Sequence, residues 1–241
     1  MIKNITFTSF FLFFIAISLL FSSLGLYFSD PVTEVDAPIE ESHKVTIVVD
    51  AGHGGEDGGA SAYGNVPEKE LNLEISKTIA DMLAFCGARV VMTRNEDILL
   101  YDKNSDYNGK KKSQDLAKRL EIANSYECSI LISIHMNAFP EAKYKGLQVY
   151  YSANTDSSYD LASLIQNTTR VALMPENNRK PKKANSNIYL LDRYIGTGVL
   201  IECGFLSNPD EYAKLCTEEY RAELSLSIAS SILKYIANGG R

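Results

Sequence analysis

KVTIVVDAGHGGEDGGA, residues 44–60, joins a β-branched run to a glycine-rich loop. The run from Val45 to Val49 carries no charge and reads as a short buried strand that ends on Asp50. The loop holds one histidine, His53, among its glycines. No Gly-Lys-Ser/Thr follows, so it is not a nucleotide-binding phosphate loop. By itself it reads equally well as a simple turn.

Working outward, the period changes. From Glu68, the residues Leu71, Ile75, Ile79, Met82 and Leu83 fall on one helical face. Gly87 is placed to end that helix. Ala88 to Thr93 is the next strand, and residues 97–113 form a polar, lysine-rich loop. Leu116, Leu120 and Ala123 mark a second helix. CSILISIH, Cys128 to His135, is a strongly apolar strand and central in the sheet. GLQVYYS, residues 146–152, alternates as a strand, and residues 159–173 look helical. NIYLLD (187–192) and GVLIEC (198–203) read as two further strands. A closing helix runs from about Thr217, with Tyr220, Leu224, Ile228 and Ile232 four apart. Strands alternating with helices imply a single α/β domain. Its sheet is mostly parallel and twisted, with helices on both faces.

The chain has 241 residues, 45% hydrophobic and 22% charged, which suits one globular domain after an N-terminal segment is set aside. Ile5 to Ser29 has no charged residue. As a helix it is long enough to span a bilayer, where about 20 apolar residues suffice. Two readings stay open for residues 1–29, a cleaved signal peptide or a membrane anchor. Residues 30–43 are acidic with two prolines and read as a linker, leaving 44–241 as the domain. Either reading puts the domain outside the cytoplasm. A net charge of -6 excludes nucleic acid as the main partner. The four cysteines show no C-x-x-C spacing and read as small core residues.

Three strand ends carry the chemistry. Asp50 leads into His53, SILISIH ends on His135, and the strand over 198–203 reaches Glu202. In an open α/β sheet, ligands gather at the carboxyl ends of the strands. His43 lies in the linker, so His53 and His135 are the only histidine metal ligands available to the domain. Catalytic zinc takes three protein ligands and keeps one open position. A carboxylate must supply the third ligand. Glu68 is well placed for it, and Glu202 for the general base. Each group also has a structural alternative, such as a hydrogen-bonded strand-end histidine or a glutamate favouring a helix N-terminus.

Five motifs in order, VVDAGHGGEDGGA, EKELNLEIS, MTRNED with RLEIAN, LISIHMNA and LIECGFLSNPDE, together resemble the zinc amidases of the type 3 family. The resemblance covers about residues 45–236. It implies His53, Glu68 and His135 as zinc ligands, with Glu70 the rival to Glu68, and Glu202 as catalytic acid/base. It implies hydrolysis of the amide between N-acetylmuramic acid and L-alanine in peptidoglycan. Arg94 and Asn137 are expected to orient substrate, and Asp57 to support a histidine. The bare catalytic domain behind a membrane segment is similar to the spore-cortex (germination-specific) amidases, with a vegetative cell-separation amidase as the rival. A zinc carboxypeptidase and a non-catalytic peptidoglycan-binding protein are the alternatives from other classes. A protein regulator is left open, and the Lys180 to Lys183 segment is expected to be a solvated loop.

Overall fold

The computed structural model describes residues 45–60, 66–102, 104 and 109–241. The expected N-terminal apolar segment and the linker lie outside them. Among the described residues no helix is long and apolar enough to cross a membrane.

Six strands form one sheet. They are β1 (Thr46–Ala51), β2 (Arg89–Met92), β3 (Ser129–Asn137), β4 (Gln148–Tyr151), β5 (Lys182–Lys183) and β6 (Thr197–Phe205), in the order β2-β1-β3-β6-β4-β5. β2, β1, β3 and β6 are mutually parallel, and β4 runs antiparallel to β6. The helices are α1 (Glu68–Phe85), α2 (Lys111–Asn124), α3 (Ser157–Leu173), α4 (Tyr189–Arg193), α5 (Pro209–Leu215) and α6 (Glu218–Ala237).

Alternation along the strands sends the two faces into two cores. Ile47, Val49, Ile130, Ile132, Ile134, Val149 and Ile201 pack against α1, α3 and α6. Val48, Leu131 and Leu200 face α2 and α4, where Ala123, Leu190, Leu191 and Tyr194 close a smaller cluster. The expected α/β sheet with helices on both faces is therefore present. α1 ends in a Schellman motif, as the position of Gly87 predicts: Gly87 has φ 83°, and Ala88 N–H donates to Leu83 O at 3.0 Å.

Some elements differ from the sequence reading. Residues 187–192 were expected to form a strand, but Tyr189–Arg193 is one helical turn. The reason is that Leu190 and Leu191 are both buried in the same cluster as Tyr194, four residues after Leu190. A strand would send neighbours to opposite faces, and one helical turn does not. Lys182–Lys183 is a two-residue edge strand rather than a loop. Of the cysteines, Cys203 is buried, Cys86 is exposed, and all four are free thiols.

The strand order places the crevice. From β1 the chain moves outward to β2, then crosses back over β1 to β3. The carboxyl ends of β1 and β3 therefore sit at a point where the winding changes direction, and connections leave on opposite faces.

Candidate active site

The face that carries the smaller apolar cluster turns polar at its carboxyl end. Asp50 pairs in register with Ser133, and His135 pairs with Glu202. Every second residue shares a face, so Val48 then Asp50, Leu131 then Ser133 then His135, and Leu200 then Glu202 all point the same way. Asp50, Ser133, His135, Leu200 and Glu202 line a cavity of about 240 Å³ together with His53, Asp57, Lys112, Arg119 and Tyr189.

His53 leaves the end of β1 on a left-handed turn. Its φ is 61°, the only positive φ of a non-glycine among the described residues. The glycines around it supply space. A Cβ on Gly52 would overlap the His135 ring, and one on Gly59 would come within 2.8 Å of Cδ2 of His53. Backbone and side chain can approach this closely only where no Cβ intervenes.

Glu68, the first residue of α1, is buried between the two histidines. Its Oε1 lies 3.1 Å from His135 Nδ1 and its Oε2 lies 3.3 Å from His53 Nε2. Asn72 Nδ2, one helical turn on, donates to Oε1 at 3.1 Å, the Met136 amide donates to the same oxygen at 3.0 Å, and the Ala60 amide donates to Oε2 at 2.7 Å. Burial would raise this carboxyl; hydrogen bonds from His135 and His53 outweigh it and hold Glu68 far below the ordinary carboxylate range. Glu70 is exposed. Between the two rival glutamates, the fold brings Glu68 to the histidines.

One donor atom each from His53, Glu68 and His135 lies within 4.8 Å of the others. Two imidazoles and a carboxylate around one point suit a catalytic zinc that keeps an open position. Asp57 Oδ2 sits 2.9 Å from Nδ1 of His53, within ion-pair range. Burial lowers the proton affinity of His53, and the carboxylates of Glu68 and Asp57 more than reverse this.

Glu202 is the carboxylate of the site with an unsatisfied buried oxygen: its Oε2 has no hydrogen-bond partner. Burial pushes its carboxyl up to about 7, helped by the Glu68 charge and opposed by the two histidines. A half-buried, unpartnered carboxylate beside a cluster of groups able to hold a metal has the properties of a general acid/base.

Arg94 and Asn137 are the two residues expected to orient substrate. Arg94 is buried, and its guanidinium is occupied by the carbonyls of Ala51, Gly52, Lys69 and Glu96 at 2.8–3.0 Å. It organises the histidine loop and does not line the cavity. Asn137 lies beyond a register shift at the end of β3, where its carbonyl accepts from the Leu206 amide at 2.8 Å. Sequence reasoning also missed Asn72, Asp115 and Arg119. Asp115 and Arg119 lie one turn apart and are buried on α2, and that i, i+4 pairing of opposite charges beside Leu116 and Leu120 was the available signal.

A family model described as N-acetylmuramoyl-L-alanine amidase matches residues 47–234. The chain belongs to this amidase family. It is thus a hydrolase of the group that acts on peptidoglycan, as its motifs suggested. The germination-specific N-acetylmuramoyl-L-alanine amidase of Bacillus subtilis is 37% identical over 194 residues, covering 80% of this chain and 81% of that protein. Among solved structures, the CwlD amidase of Clostridioides difficile, in complex with the GerS lipoprotein, is 36% identical with TM-score 0.76, covering 80% of this chain and 99% of that one. The amidase AmiC2 of Nostoc punctiforme is 31% identical with TM-score 0.69, covering 80% of this chain and 98% of that one.

Proposed function

We propose that this family member is a zinc-dependent N-acetylmuramoyl-L-alanine amidase that acts outside the cytoplasm, in spore cortex maturation. The observation that supports it most is the convergence of His53, Glu68 and His135 beside the unpartnered carboxylate of Glu202. His53, Glu68 and His135 would hold zinc, which when bound polarises the scissile carbonyl and makes water a better nucleophile.

Glu202 accepts a proton from the attacking water at Oε2. The water oxygen bonds to the lactyl carbonyl carbon, the C–N bond breaks, and Glu202 returns the proton to the leaving amine of L-alanine. A carboxyl that titrates near 7 accepts and returns a proton with little bias at neutral pH. Asp57 steadies His53 from behind. Asn137, two residues past His135, is assigned to orienting substrate.

The spore role rests on likeness to the germination-specific amidase and to CwlD. The latter was solved with a lipoprotein, and on that ground we assign this chain a protein partner as well. The membrane assignment rests on the uncharged segment from Ile5 to Ser29. Protein stripped of metal should lose hydrolysis of sacculi and regain it with zinc, and His53→Ala should not regain it. Spores lacking the chain should lack muramic lactam. Undiminished hydrolysis without metal would sink the zinc reading, and normal lactam content would sink the spore role.

A further inference from the structure

His53 is held in a backbone conformation that a non-glycine residue adopts at a cost, and something must over-determine it. The fold supplies a buried guanidinium. Arg119 Nη2 donates to the His53 carbonyl at 2.7 Å, and Nη1 donates to the Ala51 carbonyl at 2.6 Å. The same Nη1 reaches Asp50 Oδ1 at 2.7 Å, while Nε reaches Asp115 Oδ2 at 2.8 Å. Asp50 is fixed in turn by hydroxyl donation from Thr93 at 2.7 Å and from Ser133 at 2.6 Å. Arg119 thus ties α2 to the ends of β1, β2 and β3, and its free edge grips the carbonyls on either side of Gly52.

We propose that Arg119 is a positioning residue for the metal centre, setting the left-handed turn at His53 and with it the direction of the imidazole. This rests on the zinc reading given above. The planar fork is essential, because four acceptors at fixed angles are met by one rigid group. Lysine at this position keeps the charge that Asp50 and Asp115 require, but its single ammonium cannot hold the loop carbonyls and both carboxylates together. The backbone at His53 would then relax, and the ring would swing away from Glu68.

The test is zinc affinity, by competition with a chelating dye, in the wild-type domain, Arg119→Lys, Asp115→Asn, His53→Ala and the core control Ile79→Val. Folding is checked by circular dichroism. Arg119→Lys should fold and bind zinc about 10–100-fold more weakly, the range for residues that orient a metal ligand. Its cobalt-substituted form should show an altered visible spectrum. Asp115→Asn, which loosens Arg119 from one side, should weaken zinc in the same direction, and Ile79→Val should not change it. A folded Arg119→Lys with wild-type affinity and spectrum overturns the proposal. So does failure of both Arg119→Lys and Asp115→Asn to fold, since Arg119 would then serve the fold alone. Zinc binding by wild type that His53→Ala abolishes upholds the underlying zinc reading whatever Arg119→Lys does. A wild-type domain that binds no zinc overturns both.

Discussion

His135 on β3 and Glu202 on β6 are direct cross-strand partners, so one step of the parallel register sets the imidazole proposed to hold zinc beside the carboxylate proposed as acid/base. Two rigid central strands fix the pair, and neither residue depends on a loop for its place. Separating binding from proton transfer is therefore possible by substitution at one strand position.

Glu202→Gln is isosteric and removes only the proton acceptor. Hydrolysis of purified sacculi should fall by about 10²–10⁴-fold, the usual worth of a general acid/base. Zinc content, measured by atomic emission, should stay at the wild-type level. A variant that retained activity would remove Glu202 from the mechanism.

Glu68→Gln and Glu70→Gln should behave oppositely. Glu68 bridges both histidines, whereas Glu70 is exposed. Zinc binding and activity should collapse in the first and stay within about twofold in the second, since exposed substitutions away from a site are nearly neutral. Calorimetric zinc titration of the two proteins distinguishes them.

Gly52→Ala introduces one methyl group, and it would overlap the His135 ring. Gly52 has no positive φ, so backbone strain is not the issue. The ring must move, and overpacking of this kind costs about 1–3 kcal/mol. Activity should fall far more than the melting temperature, because the displaced ring is one proposed to hold zinc. Equal activity at equal metal loading would count against the tight fit.

Asp50 makes an acid-stability prediction. Burial alone would raise its carboxyl, but the Arg119 charge and the Ser133 and Thr93 hydrogen bonds hold it at about 2, below the ordinary 3.8. A lowered folded value gives stability that is present above the unfolded pKa and lost as pH falls toward the folded one. The window is therefore about pH 4 down to 2, and the contribution is about 2 kcal/mol. Asp50→Asn should be less stable at pH 7, because Arg119 keeps a buried charge with one partner fewer. It should also lose less stability than wild type on acidification. Urea unfolding at pH 7 and pH 3 measures both.

Much of the fold was legible in the residues, for a physical reason. β1, β3 and β6 are buried on both faces, so each carries a nearly continuous apolar run that meets a polar residue near the crevice. His135 and Glu202 were visible as polar residues closing those apolar runs, and His53 as the histidine of the loop that follows β1. Glu68 was harder, because helix geometry alone does not separate it from Glu70; the contacts of its two carboxylate oxygens do. α4 was misread because a short apolar run suits a strand and a single helical turn equally. α5 was missed although Asn208 and Pro209 spell an N-cap and first helical position, with the Asn208 side chain accepting from the amides of Asp210 and Glu211. Arg94 and Arg119 were not legible in their true place. An arginine in a polar stretch reads as solvated or substrate-facing, and only the folded loop reveals the carbonyls that bury it.

The most direct test of the account is the identity of the bond cut. Purified sacculi would be digested with the zinc-loaded protein and the newly exposed groups labelled and counted. New N-terminal amines should appear on L-alanine, in step with loss of stem peptide from the glycan, and be absent with Glu202→Gln. New carboxyl-terminal residues with L-alanine still blocked would contradict this and make the protein a peptidase.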